Sequence, residues 1–187
     1  MIAPSQQSGS TGSWTGTNTA CTPPGDAVVR SCLRLIQILT IGAAPRITQS
    51  FDVGQAGMDL YYPAVTMDAV GNAYVSFTLS SASLYPTAAT LVQRAGVANV
   101  VSGIIPFQNG TGIYNLTACA GGENRWGDYS AAVPDPLDPS SVWVTAEYSA
   151  TTATSGSACA LNWGTATARV TLPSLPNRVY LPLVANQ

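Results

Sequence analysis

The densest group of chemically capable side chains in this sequence is the run Arg-Trp-Gly-Asp-Tyr at residues 125–129. Arg125 and Asp128 can hold a charged or hydroxyl-bearing ligand through charge-assisted hydrogen bonds. The same two side chains can instead form a turn-locking ion pair, or bond to the backbone near Trp126. We favour this structural role for the run, and we predict no catalytic residue in the chain.

Aromatic residues elsewhere in the sequence extend the candidate site. Flat rings stack on the pyranose faces of sugars, so a group of exposed rings can form a carbohydrate platform. The alternative, which we favour, is ordinary packing between sheets. The rings that this platform would use are Tyr61, Tyr62, Trp126, Tyr129 and Trp163. The ligand-binding set that we predict is Tyr62, Arg125, Trp126, Asp128, Tyr129 and Trp163.

The residue types present exclude several classes of chemistry. The chain has no histidine, which removes Ser-His-Asp and Cys-His catalysis. Four turn residues could offer oxygen ligands to Ca²⁺, but they lack the alternating Asp spacing of a calcium loop, and a turn role is the better interpretation. These four residues are Asp68, Asn72, Asp135 and Asp138. We predict no metal site and no cofactor.

The charge pattern argues against nucleic-acid and anionic-membrane partners. Only 9% of the residues are charged, the seven basic residues are all Arg, and the net charge is −2. The arginines are scattered singly, so they form no basic stripe that could follow a phosphate backbone. A polar surface made mainly of Ser, Thr, Asn and Gln is common in secreted β-proteins, and we expect a secreted, extracellular or cell-surface location.

The four cysteines predict disulfides. Cys21, Cys32, Cys119 and Cys159 show no CxxC spacing, so a zinc site is not indicated. Of the three pairings we favour Cys21 with Cys32 and Cys119 with Cys159, against the alternative of four buried thiols. Disulfides imply an oxidising compartment. The first 20 residues lack a secretory signal, so we expect a longer exported precursor or a fragment.

The order of short apolar runs and turns predicts an all-β chain. We divide it into a loop-rich or strand-like lead-in at 1–27, the main body at 28–172, and a C-terminal strand and tail at 173–187. Short β-branched and aromatic runs separated by turn residues indicate strands, and no apolar run is long enough to span a membrane. The predicted strands are 32–39, 47–53, 62–67, 73–79, 88–94, 113–118, 129–133, 142–148, 165–172 and 179–184.

An internal repeat favours a β-propeller within the all-β class. The segment YPAVTMDAVGNAYVSFTLSS, residues 62–81, matches YSAAVPDPLDPSSVWVTAEYSA, residues 129–150. Each copy predicts a strand, an acidic turn and a second strand, and a repeated hairpin is typical of propellers. The aligned pairs are Tyr62 with Tyr129, Ala64 with Ala131, Asp68 with Asp135, Tyr74 with Trp143, and Val75 with Val144.

The number of predicted strands creates a difficulty for this propeller. Ten strands make about two and a half four-stranded antiparallel blades, whereas propellers typically have about 4 to 8 blades. Three explanations remain open: the chain is part of a longer propeller, it closes by association with another chain, or the repeat belongs to an open stack of sheets. We favour the first. An unclosed blade leaves a strand edge that can pair with a neighbour.

The motif Arg-Trp-Gly-Asp-Tyr-Ser at 125–130, with the strand and the Asn-Trp that follow it, resembles a known group. It is similar to the C-terminal part of secreted bacterial sialidase-like β-propeller proteins of the BNR or Asp-box type. The resemblance spans Cys21–Leu172, and Pro134 departs from the usual Val-Asp-Pro turn. The ending YLPLV also resembles the tails of many exported bacterial proteins, which would place the natural C-terminus here.

The resemblance implies an extracellular, non-catalytic binding or scaffolding module whose ligand is a glycan or a protein. Two alternatives stay open. The first is a sialidase-like glycoside hydrolase whose active site is completed by absent blades; here Glu147 and Tyr148 cannot act together as base and nucleophile, because neighbours on a strand lie on opposite faces. The second is a self-assembling surface or filament subunit, a homo-oligomer that pairs open β-edges.

Overall fold

The computed structural model describes residues 12–115, 124–150 and 162–172. These ranges contain ten β-strands and no α-helix, and hence no helix that is long and apolar enough to cross a membrane. The strands are β1 Gly12–Cys21, β2 Arg30–Leu39, β3 Arg46–Val53, β4 Met58–Met67, β5 Ala73–Ser81, β6 Leu84–Gln93, β7 Ile105–Gln108, β8 Ala131–Pro134, β9 Ser141–Ser149 and β10 Trp163–Thr171.

The strands form three antiparallel sheets. Sheet 1 has the order β1-β2-β3, sheet 2 the order β4-β5-β6-β7, and sheet 3 the order β10-β9-β8. The prediction of an all-β chain is confirmed. None of the three sheets closes on itself within the described residues, and the strands of each sheet follow one another along the chain as a meander.

Sheet 1 packs on sheet 2 through a core of alternating apolar side chains. Successive side chains of a strand point to opposite faces, so Leu33 and Leu35 on β2 face the same way as Phe51 on β3, and all three are buried. They meet Val75 and Phe77 of β5 in one apolar cluster. Burial of this cluster is the main favourable term that holds the two sheets together.

The other face of β5 packs on sheet 3. Tyr74 of β5 lies in a second cluster with Val142 and Val144 of β9. Two hydroxyls add direct hydrogen bonds between the sheets: Ser76 Oγ donates to the Thr145 carbonyl at 2.8 Å, and Thr78 Oγ1 donates to the Glu147 carbonyl at 2.9 Å. Strand β5 is therefore covered on both faces, and sheet 2 is the middle layer of a three-sheet stack.

The repeat found in the sequence is also a repeat in strand register. In sheet 2, Thr66 lies opposite Tyr74, and in sheet 3, Val133 lies opposite Trp143. The acidic turns match as well. Asp68 Oδ1 accepts the amide of Val70 at 3.1 Å, and Asp135 Oδ1 accepts the amide of Leu137 at 2.9 Å.

Three strand predictions need correction or lie outside the description. The lead-in contains the ordered strand β1, so regular structure begins well before residue 28. The described part of the predicted strand 113–118 contains only an isolated bridge residue, Asn115, and the fourth strand of sheet 2 is β7 instead. The sequence Ile-Pro-Phe-Gln does not predict a strand, because proline argues against strand structure except at the edge of a sheet, which is where β7 lies. The predicted strand 179–184 lies outside the described residues.

One predicted disulfide is confirmed and supports the first sheet. Cys21 and Cys32 are bonded, with their Cα atoms 5.9 Å apart, and they join the adjacent strands β1 and β2. A Cβ atom on Gly54 would lie 2.7 Å from the Cys32 sulfur and 2.8 Å from the Cys21 sulfur. Only glycine leaves room for the bridge here. The predicted Cys119–Cys159 pair lies outside the described residues.

The contact between Gly54 and the disulfide can be tested by a double-mutant cycle. We expect Gly54→Ala to lower the free energy of unfolding by about 1–3 kcal/mol, because overpacking forces the neighbours apart. In a Cys21→Ala/Cys32→Ala background the same change should have a smaller effect. Urea unfolding followed by tryptophan fluorescence measures both values.

Gly96→Ala is the control for this cycle. Gly96 has a positive φ of 73° and no neighbouring atom within 4 Å of an added Cβ. Its substitution should therefore lower stability through backbone strain, by the same amount with and without the disulfide. An equal effect of Gly54→Ala in the two backgrounds would contradict the proposed contact.

Candidate functional site

The segment 124–130, here called the corner loop, leads into β8 and is fixed to the fold by a buried carboxylate. Glu147 on β9 has 3% of its surface exposed. Its Oε2 accepts the backbone amide of Gly127 at 2.9 Å, and its Oε1 accepts the backbone amide of Tyr129 at 3.1 Å. A carboxylate that accepts two amides makes stronger bonds than a neutral acceptor. Glu147 therefore holds the loop backbone in one place.

Two further contacts seat the corner loop against sheet 2. Trp126 Nε1 donates to Thr78 Oγ1 at 3.2 Å, and the Trp126 ring meets Tyr114 edge to face at 4.8 Å between centroids. Gly127 has φ 97°, and a Cβ on it would lie 2.2 Å from Cγ of Tyr62. The Tyr62 ring thus lies directly against the glycine backbone, and no other residue fits at Gly127.

The predicted ion pair between Arg125 and Asp128 is not what locks the turn. The nearest oxygen and nitrogen are 3.6 Å apart, and the two side chains are 81% and 62% exposed. An exposed pair of this kind contributes little to stability. The turn is held by Glu147, and the two charged side chains stay accessible to a ligand.

All six predicted ligand-binding residues line two adjoining cavities. The first, of about 600 Å³, lies between β1, β4 and the corner loop, and Tyr62 is part of its wall. The second, of about 230 Å³, lies between the corner loop and the start of β10, where Arg125, Tyr129 and Trp163 line it. Trp126 and Asp128 line both cavities. The structure therefore brings the predicted residues together in one site.

Tyr62, in the wall of the first cavity, has a strained backbone conformation. Its φ is 56°, in the left-handed region that bulky residues avoid. A register shift in β4 between Tyr61 and Ala64 produces this conformation, and the Tyr62 amide donates to Asn18 Oδ1 at 2.6 Å. Strain held in this way is typical of functional sites. Here it places a tyrosine ring, 38% exposed, at the wall of the first cavity.

Tyr129 and Trp163 stack face to face, so each ring covers one face of the other. Their rings stack with centroids 4.8 Å apart and an interplanar angle of 13°. Tyr129 is 52% exposed and Trp163 is 41% exposed. Because the facing sides of the stacked pair are covered, the exposed fraction of each ring lies on its outer face and edges, and an outer aromatic face is the kind of surface that a ring-shaped ligand can cover.

The first cavity also holds a polar atom without a hydrogen-bond partner. The hydroxyl oxygen of Ser130 is buried and, within the described part of the chain, makes no hydrogen bond. A buried hydroxyl without a partner is destabilising. Ser130 lines the first cavity, but its hydroxyl oxygen is covered in this conformation and would have to rotate toward the cavity to meet a ligand.

The turn carboxylates that were weighed as calcium ligands are engaged in other contacts. Arg169 binds Asp135 and Asp138, each at 2.7 Å, and Asp68 accepts both the amide and the side chain of Asn72. Hydroxyls of Ser140 and Ser141, with the Ser140 amide, lower the pKa of Asp138 to about 2. Within the residues described, no group of three or more His, Cys, Asp or Glu side chains could hold a metal ion.

Comparisons with family models, with curated proteins and with solved structures found no match to this chain.

The role of Glu147 leads to a stability prediction. Glu147→Gln replaces one acceptor oxygen by an amide group, so a backbone N–H of the corner loop faces another donor. We expect the free energy of unfolding to fall by about 1–3 kcal/mol, measured by urea unfolding. Asp128→Asn is the control, because its side chain is exposed and the same chemical change there should have little effect. Equal effects of the two substitutions would contradict the anchoring role.

The acidic turn of sheet 3 predicts an acid-sensitive contribution to stability. The Leu137 amide, followed by Arg169, also lowers the pKa of Asp135. Because both carboxyls have a folded pKa below the unfolded value of about 4, their contribution is complete above pH 4 and is lost as pH falls toward 2. We expect urea midpoints to fall over this range, and to fall less in Asp138→Asn. Leu137→Ala, a neutral change in the same turn, should keep the wild-type pH slope.

Proposed function

We propose that this chain is a non-catalytic carbohydrate-binding module of an extracellular β-propeller protein, and that it binds its ligand at the corner loop. The observation that carries the proposal is the convergence of exposed aromatic rings on two adjoining cavities. The resemblance of the corner loop to that of secreted sialidase-like propellers is part of the proposal, as is a propeller arrangement of the three sheets.

A neutral or weakly charged oligosaccharide fits the residues of the site best. The stacked pair of Tyr129 and Trp163 offers an aromatic face at the second cavity, and Tyr62 offers another ring at the wall of the first cavity. Partners for the sugar hydroxyls come from the exposed charged groups of Arg125 and Asp128. Because the rings flank two adjoining cavities that share Trp126 and Asp128, we infer that the site accommodates more than one sugar unit.

The geometry supports binding better than hydrolysis by a sialidase-type mechanism. Such a mechanism needs a tyrosine nucleophile activated by a glutamate, but both Glu147 oxygens accept backbone amides. Burial, with a smaller effect from the Glu147 charge, raises the pKa of Tyr114, which keeps this phenol protonated. Among the residues that the structure describes, Arg125 is the only arginine lining either cavity, whereas a clamp on a sugar carboxylate would use several.

The location of the protein outside the cell also belongs to the proposal. The Cys21–Cys32 bridge is compatible with an oxidising compartment, which secretion provides. A surface with few charges and many threonine side chains is compatible with the same location.

A glycan array followed by calorimetry tests the proposed function. We expect the purified chain to bind neutral oligosaccharides on the array. In calorimetry we expect Trp163→Ala to weaken binding at least tenfold. The melting temperature should change little, because the Trp163 side chain is partly exposed. Tyr85→Ala is the matched control, since Tyr85 on β6 is 36% exposed and lines neither of the two cavities.

Two outcomes would overturn the proposal. If the chain bound no glycan, or if wild type and Trp163→Ala bound equally well, the proposed carbohydrate site would be wrong. Release of a chromophore from an aryl sialoside would instead show hydrolysis, and its loss in Glu147→Gln with the fold intact would assign catalysis to the second cavity.

A further inference from the structure

The backbone of Tyr62 is held in a conformation that the local sequence opposes. Its φ of 56° lies in the left-handed region, which is unfavourable for a residue with a bulky side chain. The next residue is Pro63, and a residue before proline is pushed toward an extended backbone. Such a conformation persists only where the surrounding structure fixes it, so contacts from outside β4 must hold Tyr62.

Three contacts from β1 and the corner loop surround Tyr62 and the proline after it. Asn18 Oδ1 on β1 accepts the Tyr62 amide at 2.6 Å. A Cβ on Gly16 of the same strand would lie 3.1 Å from Cγ of Pro63, so β1 lies close against the proline. A Cβ on Gly127 would lie 2.2, 2.3 and 2.4 Å from Cγ, Cδ1 and Cδ2 of Tyr62. Nearly equal distances to three ring atoms place Gly127 over a face of the ring. Of the three contacts, the one from Asn18 is a hydrogen bond made by a side chain.

The hydrogen bond to Tyr62 also fixes which way the Asn18 amide group is turned. A backbone N–H can only donate, so the atom that receives it must be Oδ1, and the other branch of the side chain must be Nδ2. Nδ2 carries two N–H donors, and among the residues that the structure describes it donates to no other group. Asn18 is exposed and lines the first cavity. The cavity wall therefore has a hydrogen-bond donor whose orientation is set before a ligand arrives.

The charge of the first cavity differs from that of the second. Among the described residues, Asp128 is the one charged side chain that lines the first cavity, whereas Arg125 lines the second. With Asn18 Nδ2 as a donor and the Asp128 carboxylate as an acceptor, two hydroxyls of a sugar ring can each find a partner. A carboxylate on the sugar would instead be repelled by Asp128, and such a repulsive contact discriminates between ligands. The first cavity therefore suits a neutral sugar unit.

We propose that Asn18 determines the specificity of the first cavity, in two ways. Its Oδ1 positions the Tyr62 ring, and its Nδ2 donates a hydrogen bond to a hydroxyl of a neutral sugar unit. This assignment rests on the proposed function and gives the two cavities different roles. The stacked pair of Tyr129 and Trp163 binds one sugar unit at the second cavity, and Asn18 binds a further, neutral unit of the same oligosaccharide at the first. The effect of Asn18 on affinity therefore depends on the length of the oligosaccharide.

Two substitutions of Asn18 separate its two roles. Asn18→Asp keeps an oxygen that can accept the Tyr62 amide but removes the N–H donors, whereas Asn18→Ala removes both. A ring that lies over a glycine shifts the Hα resonance of that glycine upfield, so the Gly127 signal of the ligand-free chain reports the position of Tyr62. We expect this shift to persist in Asn18→Asp and to return toward the ordinary glycine range in Asn18→Ala. Asn109→Ala is the control, because Asn109 is exposed and lines neither cavity.

Calorimetry measures the contact with the ligand. The probe is whichever of cellotetraose, maltotetraose and chitotetraose binds most strongly on the glycan array, together with the disaccharide of the same linkage. We expect Asn18→Asp to bind the tetrasaccharide about three- to tenfold more weakly than wild type, as for the loss of one hydrogen bond, and Asn18→Ala to bind it more weakly still. The disaccharide, held by Tyr129 and Trp163, should bind equally to wild type and both variants. A high salt concentration screens the charge that Asn18→Asp adds.

Each of three results would overturn the assignment of Asn18 while leaving the proposed function in place. Wild-type affinity of Asn18→Asp for the tetrasaccharide would show that Nδ2 makes no contact with the ligand. An unchanged Gly127 Hα signal in Asn18→Ala would show that Tyr62 is held without Asn18. Equal losses of affinity for the tetrasaccharide and the disaccharide would show that Asn18 does not act at the first cavity alone. If no glycan on the array bound the wild-type chain, the proposed function itself would be wrong, and the ligand contact of Asn18 with it.

Discussion

The two hydrogen bonds from the Gly127 and Tyr129 amides to the Glu147 carboxylate are the interaction on which the site depends. They fix the backbone of the corner loop, and this backbone sets the position of Trp126 between the two cavities. Because these hydrogen bonds hold the loop, the exposed side chains of Arg125 and Asp128 are not needed to hold the turn. A buried acid therefore organises the loop, while the exposed charges and rings of the loop face solvent.

This anchor works because the sheet beneath it is itself fixed. Strand β5 is buried on both faces, with an apolar face toward sheet 1 and a face of Tyr74, Ser76 and Thr78 toward sheet 3. The hydroxyls of the second face bind carbonyls of β9, one of them the carbonyl of Glu147. Glu147 thus links the core to the ligand site, because its carbonyl accepts the Thr78 hydroxyl and its carboxylate accepts the loop amides.

Local patterns were enough to predict much of this arrangement. Alternating β-branched residues located most strands, and the match of 62–81 with 129–150 anticipated the common register. Strand β7 was missed because it is short and contains Pro106. The anchoring role of Glu147 was missed because its partners lie about twenty residues away, and no local pattern encodes them. The Arg125–Asp128 pair was favoured from its spacing, but spacing does not reveal exposure.

The central claim is that the corner loop and its rings form a ligand site. The most direct measurement is an NMR titration of the isotope-labelled chain, following its amide and indole signals, with the oligosaccharide that binds the chain most strongly on the glycan array. The account predicts saturable shifts at the Gly127 and Tyr129 amides and at the Trp126 and Trp163 indoles. Saturable shifts confined to other parts of the chain, with these four signals unchanged, would contradict it.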